Sequence, residues 1–276
     1  MTGTISHEMR TPLNVIMQLG EILQKRENDP KKLKLINMIL VSGKNLLATV
    51  NDFLDFALMR ENKFKLNVER MNVEDTMNEV IKLFRLQAGS KRIKLKLKIE
   101  KFVPEEINAD KRRVQQILRN YLANALKFTS KGDICVLVRY NIKGFKLQVA
   151  VKDTGIGIKK QHLPLLFKHF GVIQSSRSRH NPNGVGFGLA IVREMCQRMN
   201  GNVGVSSLFG KGSIFWFEIQ TNPPMDERNA LLDSNIPPVN QEFNIADFAE
   251  DGDEDGNVRP SNLERKPLPA LKSVQN

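Results

Sequence analysis

Residues 133–152 read DICVLVRYNIKGFKLQVAVK, with two apolar runs on either side of the turn residues Asn141-Ile142-Lys143-Gly144. Apolar runs of this length, joined by a short connection that contains glycine, predict a β-hairpin. Because a hairpin pairs its strands antiparallel and helical segments surround this one, the pattern indicates a mixed, mostly antiparallel sheet packed against helices. It argues against a doubly wound parallel sheet.

Helical and strand patterns alternate around this hairpin between residues 65 and 220. The strand at 93–100 places three lysines (Lys94, Lys96 and Lys98) on one face, which favours a solvated basic face over a surface for an anionic partner. Trp216, between two phenylalanines, is assigned to the sheet core. The other predicted strands are 133–140, 145–152, 202–208 and 213–219, and the predicted helices are 73–88, 110–128, 160–169 and 185–200.

Residues 5–61 are predicted to form two helices joined at Glu27-Asn28-Asp29-Pro30. Their apolar positions recur at intervals of three and four residues, which is the seam of helices packed side by side. Two helices alone cannot bury two such seams, so we expect a homodimeric four-helix bundle. The seam positions are Ile5, Met9, Pro12, Ile16, Leu19 and Leu23 in the first helix and Ile36, Leu40, Gly43, Leu47, Val50, Leu54 and Ala57 in the second.

The C-terminal residues 221–276 differ in composition from the rest of the chain. They contain 7 of the 12 prolines and carry 11 acidic and 5 basic side chains, a net charge of −6 that leaves +18 on the remaining residues. Such a segment buries too little apolar surface to offset the entropy of ordering, so we expect a disordered tail. Within it, the apolar residues 231–232 and 243–248 are interpreted as isolated side chains, with docking on another surface as the alternative.

Composition limits the class of protein. The 276 residues, 41% of them hydrophobic, suffice for a core, and the 2 cysteines exclude a disulfide framework. A basic body indicates an anionic partner, whether nucleic acid, a membrane surface or a phosphate ligand. The predicted organisation is an α+β chain with a helical hairpin in 1–62, an α/β sandwich domain in 63–220 and the acidic tail in 221–276.

His7 is the first candidate for chemistry. It lies two residues from both Ile5 and Met9, so a helix turns its side chain away from the seam, toward solvent. Glu8 is its neighbour and Thr11 lies one turn further on the same face. A mostly uncharged imidazole beside a carboxylate has the character of a phosphoryl acceptor, whereas a plain surface histidine remains the simpler alternative.

Two glycine-rich segments and one helix suggest a phosphate ligand. Asp153-Thr154-Gly155-Ile156-Gly157 follows a strand, and Asn183-Gly184-Val185-Gly186-Phe187-Gly188 precedes a helix, whose amide groups attract phosphate. Structural turns are the alternative for each segment taken alone. On the helix 110–128, Asn120 and Asn124 face one way with Lys127 beside them, an arrangement suited to magnesium and phosphate oxygens.

Taken in order, these motifs resemble the transmitter core of sensor histidine kinases, of the kind common in hybrid kinases. The resemblance covers residues 4–220. Residues Ile5 to Asn14 resemble the family's phosphoacceptor box, and Asn120 to Phe128 resemble its asparagine box. Asp153 to Gly157 and Gly184 to Gly188 resemble its two glycine boxes. Phe167 to Phe170 resemble its phenylalanine box, and Gly210 to Ser213 resemble its last glycine turn.

The resemblance implies a role for each of these residues. His7 would accept the γ-phosphoryl group of ATP with Glu8 as its activating base, and Thr11 would position water for dephosphorylation of a partner. Asp153 would accept a hydrogen bond from the adenine amino group. Asn124 would coordinate Mg²⁺. The remaining nucleotide contacts would come from Asn120, Lys127, Gly155, Gly157, Gly184, Gly186 and Gly188, under a lid of residues 171–183.

The resemblance also implies partners, cofactors and a location. ATP and Mg²⁺ would be the cofactors, and a receiver-domain aspartate of a response regulator would take the phosphoryl group from a homodimer. No run approaches the roughly 20 apolar residues of a membrane helix, and the expected location is cytoplasmic. A longer parent protein, anchored in a membrane through an N-terminal sensor missing from this chain, and a protein regulated in trans are both open alternatives.

Other readings of the sequence stay open or are set aside. A non-catalytic, dimerising ATP-binding fragment is the alternative function. A nucleic-acid binder is disfavoured because most of the 15 phenylalanines occupy core-like positions. His162, His169 and His180 are too scattered to form a metal site.

Overall fold

The computed structural model describes residues 2–61, 63–167 and 188–223, together with Phe243. Five α-helices, one short 3-10 helix and seven strands occur in these ranges. The helices are α1 (Thr2–Arg26), α2 (Pro30–Arg60), α3 (Val73–Ser90), α4 (Lys111–Phe128), the 3-10 helix (Lys160–Leu165) and α5 (Gly188–Arg198). The strands are β1 (Glu69–Asn72), β2 (Ile93–Ile99), β3 (Glu106–Ala109), β4 (Gly132–Asn141), β5 (Lys146–Asp153), β6 (Asn202–Leu208) and β7 (Gly212–Gln220).

The N-terminal hairpin forms as predicted, with its turn at Asp29. The Asp29 carboxylate caps α2 by accepting a hydrogen bond from the Lys31 amide at 2.8 Å, and Pro30 begins the helix. Small residues let the two helices approach closely, because a Cβ at Gly20 would lie 2.7 Å from Leu40 Cδ2. Gly43 contacts Met17 in the same way.

The predicted seam of α2 is buried within the chain, whereas that of α1 is exposed. On α2 the predicted residues Leu40, Val50 and Leu54 are buried, so this part of the prediction is confirmed. On α1 the face buried within the chain is formed by Leu13, Met17 and Gly20, so the predicted seam does not pack on α2. The predicted α1 seam is instead an exposed apolar stripe, with Met9 at 49%, Ile16 at 52%, Leu19 at 55% and Leu23 at 56% exposure.

The second region is built on a five-stranded sheet in the order β2-β4-β5-β7-β6. Only β2 and β4 run parallel within it, so the expected mixed, mostly antiparallel sheet is confirmed. Helices α3, α4 and α5 pack on one face and share a single core with it. The pair β1–β3 was not predicted, because four-residue strands of mostly polar sequence carry no readable alternation.

Three predictions from the sequence need correction. The helix predicted at 160–169 is a 3-10 helix that ends at Leu165, since Pro164 lacks the amide hydrogen that an α-helix needs. Trp216 is half-buried on the face of the sheet opposite the helices rather than in the main core. Phe243 is not an isolated apolar side chain, because it packs on Trp216 with 3% of its surface exposed.

None of the helices within the described ranges combines the length and the apolar character that a membrane span requires. The rest of the C-terminal segment, including residues 231–232 and 248, lies outside the described residues.

Candidate functional site

Asp153 ends β5 as a buried carboxylate. Its exposed fraction is 5%, and its Oδ1 atom accepts a hydrogen bond from the Gly155 amide at 2.8 Å. Burial raises the pKa of Asp153 from 3.8 to about 6, although the backbone amides of Gly155 and Ser213 oppose this by stabilising the carboxylate. A buried acidic side chain at the end of a central strand has no structural need for its charge, so it is a candidate for ligand recognition.

The loop after Asp153 requires glycine at two positions. A Cβ at Gly155 would overlap the carbonyl oxygen of Phe128, the last residue of α4. Gly157 has a φ of +64°, a conformation that favours glycine, and it contacts the backbone of Leu208. The loop is tied to the end of α4 by a hydrogen bond of 3.2 Å from the Ile156 amide to the Phe128 carbonyl.

Helix α4 carries the three polar residues that the sequence singled out. Asp110 caps its N-terminus by accepting from the Arg113 amide at 3.1 Å. Asn124 Nδ2 donates to Asn120 Oδ1 at 3.2 Å, which holds both amides on one face. Lys127 lies one turn further, half-buried, and the loss of hydration lowers the pKa of its ammonium group.

Gly188 brings the second glycine segment to α4. It is the first residue of α5, and a Cβ at this position would overlap the side-chain amide of Asn120. The N-terminus of α5 therefore lies directly beside the asparagine pair. Gly184, Gly186 and residues 171–183 lie outside the described residues, as do His169 and His180.

Helix α4 is thus the shared wall of the site. Its end at Phe128 contacts the loop after Asp153, and its middle, at Asn120, contacts the start of α5. The structure brings together Asn120, Asn124, Asp153, Gly155 and Gly188. A carboxylate acceptor at one end and helix amides at the other suit a ligand with a hydrogen-bond donor and a phosphate chain.

Thr129 adds a polar group that the sequence motif missed, since that motif ends at Phe128. The side chain is 0% exposed, and its Oγ1 atom has no hydrogen-bond partner among the residues that the structure describes. A buried, unpaired hydroxyl is costly and therefore uncommon. It stands one residue beyond Phe128, whose carbonyl contacts the Gly155 loop.

The residues of the site could bind a magnesium ion only if a phosphate ligand supplied further oxygens. Within the described ranges no three His, Cys, Asp or Glu side chains gather to form a protein cage. Asn124 offers one amide oxygen, since its nitrogen donates to Asn120. Mg²⁺ is commonly held by one or two protein oxygens, phosphate oxygens and water, so this sparse donor set suits a magnesium–phosphate complex.

The remaining predicted residues lie on α1. His7 is in the helix, but its side chain lies outside the described residues, whereas Glu8 and Thr11 are exposed. Gly20 contacts Leu40 and Met17 contacts Gly43, and continuing this antiparallel register places the His7 backbone beside about residue 53 of α2.

An ion pair connects helix α4 to helix α2, close to the α2 residues that lie beside His7. Arg113 Nη1 lies 2.5 Å from Asp55 Oδ2, and Gln116 Nε2 donates to the same oxygen at 3.0 Å. The Arg113 guanidinium also stacks 4.6 Å from the ring centroid of Phe64. No local pattern could have predicted this contact, because its partners are 58 residues apart.

Two models of known protein families match separate parts of the chain. Residues 1–62 match the family model of the His Kinase A (phospho-acceptor) domain. Residues 109–223 match the model described as histidine kinase-, DNA gyrase B-, and HSP90-like ATPase.

Individual relatives match most of the chain. It is 35% identical over 224 residues to hybrid signal transduction histidine kinase B of Dictyostelium discoideum, covering 80% of this chain and 11% of that protein. It is 34% identical to sensor protein GacS of Pseudomonas syringae pv. syringae, covering 85% of this chain and 26% of the relative. The crystal structure of full-length ShkA in complex with AMPPNP aligns with a TM-score of 0.65 and 31% identity, covering 81% of this chain and 46% of ShkA. The chain therefore spans a minor part of each relative's length.

Proposed function

Because this chain belongs to the sensor histidine kinases and contains both regions of their transmitter core, we propose that it is an ATP-dependent protein-histidine kinase. It phosphorylates its own His7 and passes the phosphoryl group to a receiver-domain aspartate. The phosphoacceptor region is assigned to residues 1–62 and the ATP-binding domain to 63–220. One observation carries the proposal: α4 contacts both the loop after Asp153 and the start of α5. The first helix of the same chain contains His7.

The base of ATP is recognised by Asp153. At neutral pH a pKa of about 6 leaves the side chain mostly as a carboxylate, which accepts a hydrogen bond from the adenine amino group. Hydrogen bonds to a charged group contribute about 1.5–3 kcal/mol, enough to prefer an amino purine over a carbonyl one. Gly155 and Gly157 keep the loop close to the base, and the Thr129 hydroxyl gains a partner when the pocket is filled.

The phosphate end lies over α4. The N-terminal amides of α5 point to anionic oxygens, and Lys127 and Asn120 approach the same group. Asn124 would hold Mg²⁺ through its amide oxygen, and the ion would supply charge neutralisation for the β- and γ-phosphates. Gly184, Gly186 and the basic residues of 171–183 complete this end of the pocket in the proposal.

Transfer to His7 is an in-line displacement. An imidazole nitrogen attacks the γ-phosphorus, an N–P bond forms, the bond from phosphorus to the β,γ-bridging oxygen breaks, and ADP leaves. Glu8 takes the proton from the other ring nitrogen, which keeps the attacking nitrogen nucleophilic. The Asp55–Arg113 pair supports this step, since it attaches the ATP-binding domain to α2 about two residues from the level of His7, or about 3 Å along the helix.

The active unit is proposed to be a homodimer. The α1 stripe of Met9, Ile16, Leu19 and Leu23 is about half exposed in one chain and would be buried against a second copy in a four-helix bundle. Receiver proteins are then the partners that accept the phosphoryl group. Thr11, exposed one turn after His7, would position the water that dephosphorylates such a partner.

Labelling with γ-labelled ATP and Mg²⁺ tests the proposal. We expect phosphate on His7 that is stable to alkali and released by acid. A His7→Gln variant controls for the site, because it should bind ATP normally and take up no label. Label retained in that variant contradicts the assignment of His7, and ATP binding without any label in the parent chain favours the non-catalytic alternative.

A further inference from the structure

The sheet has an apolar patch on the face that the helices do not cover. Strand register places Leu137 beside Ala150, and Ala150 beside Trp216. Ile214 lies two residues from Trp216 on the same strand and completes the patch. Trp216 extends its ring over Gly204 on the edge strand, where a Cβ would overlap the indole. None of these residues belongs to the nucleotide site, which lies along α4 on the opposite face.

Phe243 occupies this patch. It lies twenty residues beyond Pro223 in the sequence, and only 3% of its surface is exposed. Its ring centroid lies 6.4 Å from that of Trp216 at an interplanar angle of 36°, and the Arg139 guanidinium lies 4.9 Å from the same ring. An aromatic ring held between an indole and a guanidinium gains both stacking and cation–π energy.

Basic side chains form the rim of the patch. In the strand register Lys98 lies beside Leu137. Lys96 and Lys152 lie on either side of Cys135, which is two residues before Leu137 on the same strand. With Arg139, whose Nε atom also lies 2.6 Å from Glu100 Oε1, this gives four positive side chains around the apolar centre. In the sequence, residues 242–255 around Phe243 carry seven acidic and no basic side chains. The charges of the surface and of the segment are therefore complementary.

A buried side-chain oxygen of Gln148 lacks a hydrogen-bond partner among the described residues. Gln148 lies in register with Arg139, and the side chain is only 1% exposed. Its nitrogen donates to Glu218 at 3.2 Å, whereas its Oε1 atom has no hydrogen-bond partner in the part of the chain that the structure describes. A buried acceptor of this kind requires a donor, and an amide hydrogen of a segment lying on the patch would supply one.

We propose that this outer face of the sheet, formed by Leu137, Ala150, Ile214 and Trp216 with its basic rim, is a docking surface for the acidic segment around Phe243 of the same chain. Phe243 is the anchor, and the neighbouring carboxylates strengthen the contact through the rim. The proposal does not depend on the kinase activity. It favours docking of residues 243–248, the alternative in the sequence analysis, over their interpretation as isolated side chains.

Trp216 is the only tryptophan of the chain, so its fluorescence reports on this surface directly. In Phe243→Ala we expect the emission to shift to longer wavelength and acrylamide to quench it more strongly, because the indole gains exposure. Phe248→Ala is the matched control, since it removes the same side chain from the same acidic segment, and it should leave both quantities unchanged. Unaltered emission in Phe243→Ala, or equal changes in both variants, would overturn the proposal.

A peptide of residues 236–250 tests the surface without relying on the intact segment. Added to the full-length Phe243→Ala chain, it should restore the emission, and its affinity should fall several-fold as salt rises, since screening weakens the contact with the rim. The same peptide with alanine in place of Phe243 should have no effect. Emission of the parent chain that changes with protein concentration would mean that a second copy supplies Phe243, and would overturn the assignment to the same chain.

Discussion

Gly188, the first residue of α5, lies so close to Asn120 of α4 that a Cβ at position 188 would overlap the asparagine side-chain amide. This one contact joins the second glycine segment to the asparagine helix, which are separated by 68 positions in the sequence. Since Asn120 also accepts a hydrogen bond from Asn124, a shift at Gly188 is transmitted to both amides.

Gly188→Ala is therefore expected to weaken nucleotide binding. The added methyl group must displace Asn120, and overpacking of this kind costs about 1–3 kcal/mol of stability. Loss of the aligned amides should lower ATP affinity by roughly tenfold or more, in keeping with about 1.5–3 kcal/mol for a hydrogen bond to a charged group. Calorimetric titration with ATP and Mg²⁺ measures the first effect and thermal unfolding the second.

Gly89→Ala is the matched control for that substitution. A Cβ at Gly89, in helix α3, would meet nothing within 4 Å, so the change should stabilise the helix by about 0.5–1 kcal/mol and leave ATP affinity unaltered. An ATP affinity in Gly188→Ala equal to that of the Gly89→Ala control would contradict the role given to the Gly188–Asn120 contact.

Asp153→Asn should separate binding from stability. Burial raises the pKa of Asp153 to about 6, so at neutral pH the folded apoprotein carries a charge whose burial costs on the order of 3 kcal/mol. An asparagine still accepts from the Gly155 amide but carries no charge. We expect the variant without nucleotide to be as stable as the parent chain or more so, while its ATP affinity falls. A variant that unfolds at lower temperature and binds ATP normally would refute both parts.

The same group gives two pH dependences of opposite sign. Because the folded pKa is above the ordinary value of 3.8, the contribution of Asp153 to stability is full below about pH 4 and is lost as the pH rises through about 6. Nucleotide binding needs the carboxylate, so affinity should rise through the same range. Titrations from pH 4 to 8 in parent and Asp153→Asn chains measure the difference: the stability contribution should fall between about pH 4 and 6, and the gain in ATP affinity should level off above about pH 6. A pH profile of binding that is identical in the two chains would exclude this role.

Glu8→Gln is expected to slow autophosphorylation of His7. The amide keeps the shape of the side chain but cannot take up the imidazole proton, and a positioned general base contributes about 10²–10⁴-fold to a rate. ATP affinity should stay the same, because Glu8 is an exposed residue of α1 outside the nucleotide site. Glu21→Gln, a change at another exposed position of the same helix, should leave the rate intact. Equal rates in the two variants would remove Glu8 from the mechanism.

Charges placed on the α1 stripe should dissociate the homodimer. Ile16→Glu and Leu19→Glu add carboxylates to positions that are 52% and 55% exposed within one chain, so the fold of the single chain should survive. Buried in a bundle, the same carboxylates would be strongly unfavourable. Light scattering should show a shift from dimer to monomer. Leu86→Glu, at an 86% exposed position of α3, is the control and should leave the dimer unchanged. A parent chain that is already monomeric at micromolar concentration contradicts the proposed bundle.

Much of the fold and the site was predictable because the signals are local. The hairpin of β4 and β5, the helix α4 and the turn from Glu27 to Pro30 each follow from periodicity and turn residues within about twenty positions. The glycines around Asp153 could be found in the same way, since close backbone approach and positive φ leave no other residue type at those places. Thr129 was missed because a single threonine at a helix end carries no pattern.

Local patterns in the sequence were enough to identify the residues that suit a phosphate ligand and their order along the chain. Contacts between distant residues came only from the folded chain: Gly188 with Asn120, Asp55 with Arg113 and Phe243 with Trp216. It also decided that the α1 seam faces outward while Leu13 and Met17 face α2. The physical reason is that periodicity records that a side chain is apolar and on one face of its element, whereas the surface that covers that face is chosen by long-range packing, which short stretches of sequence do not encode.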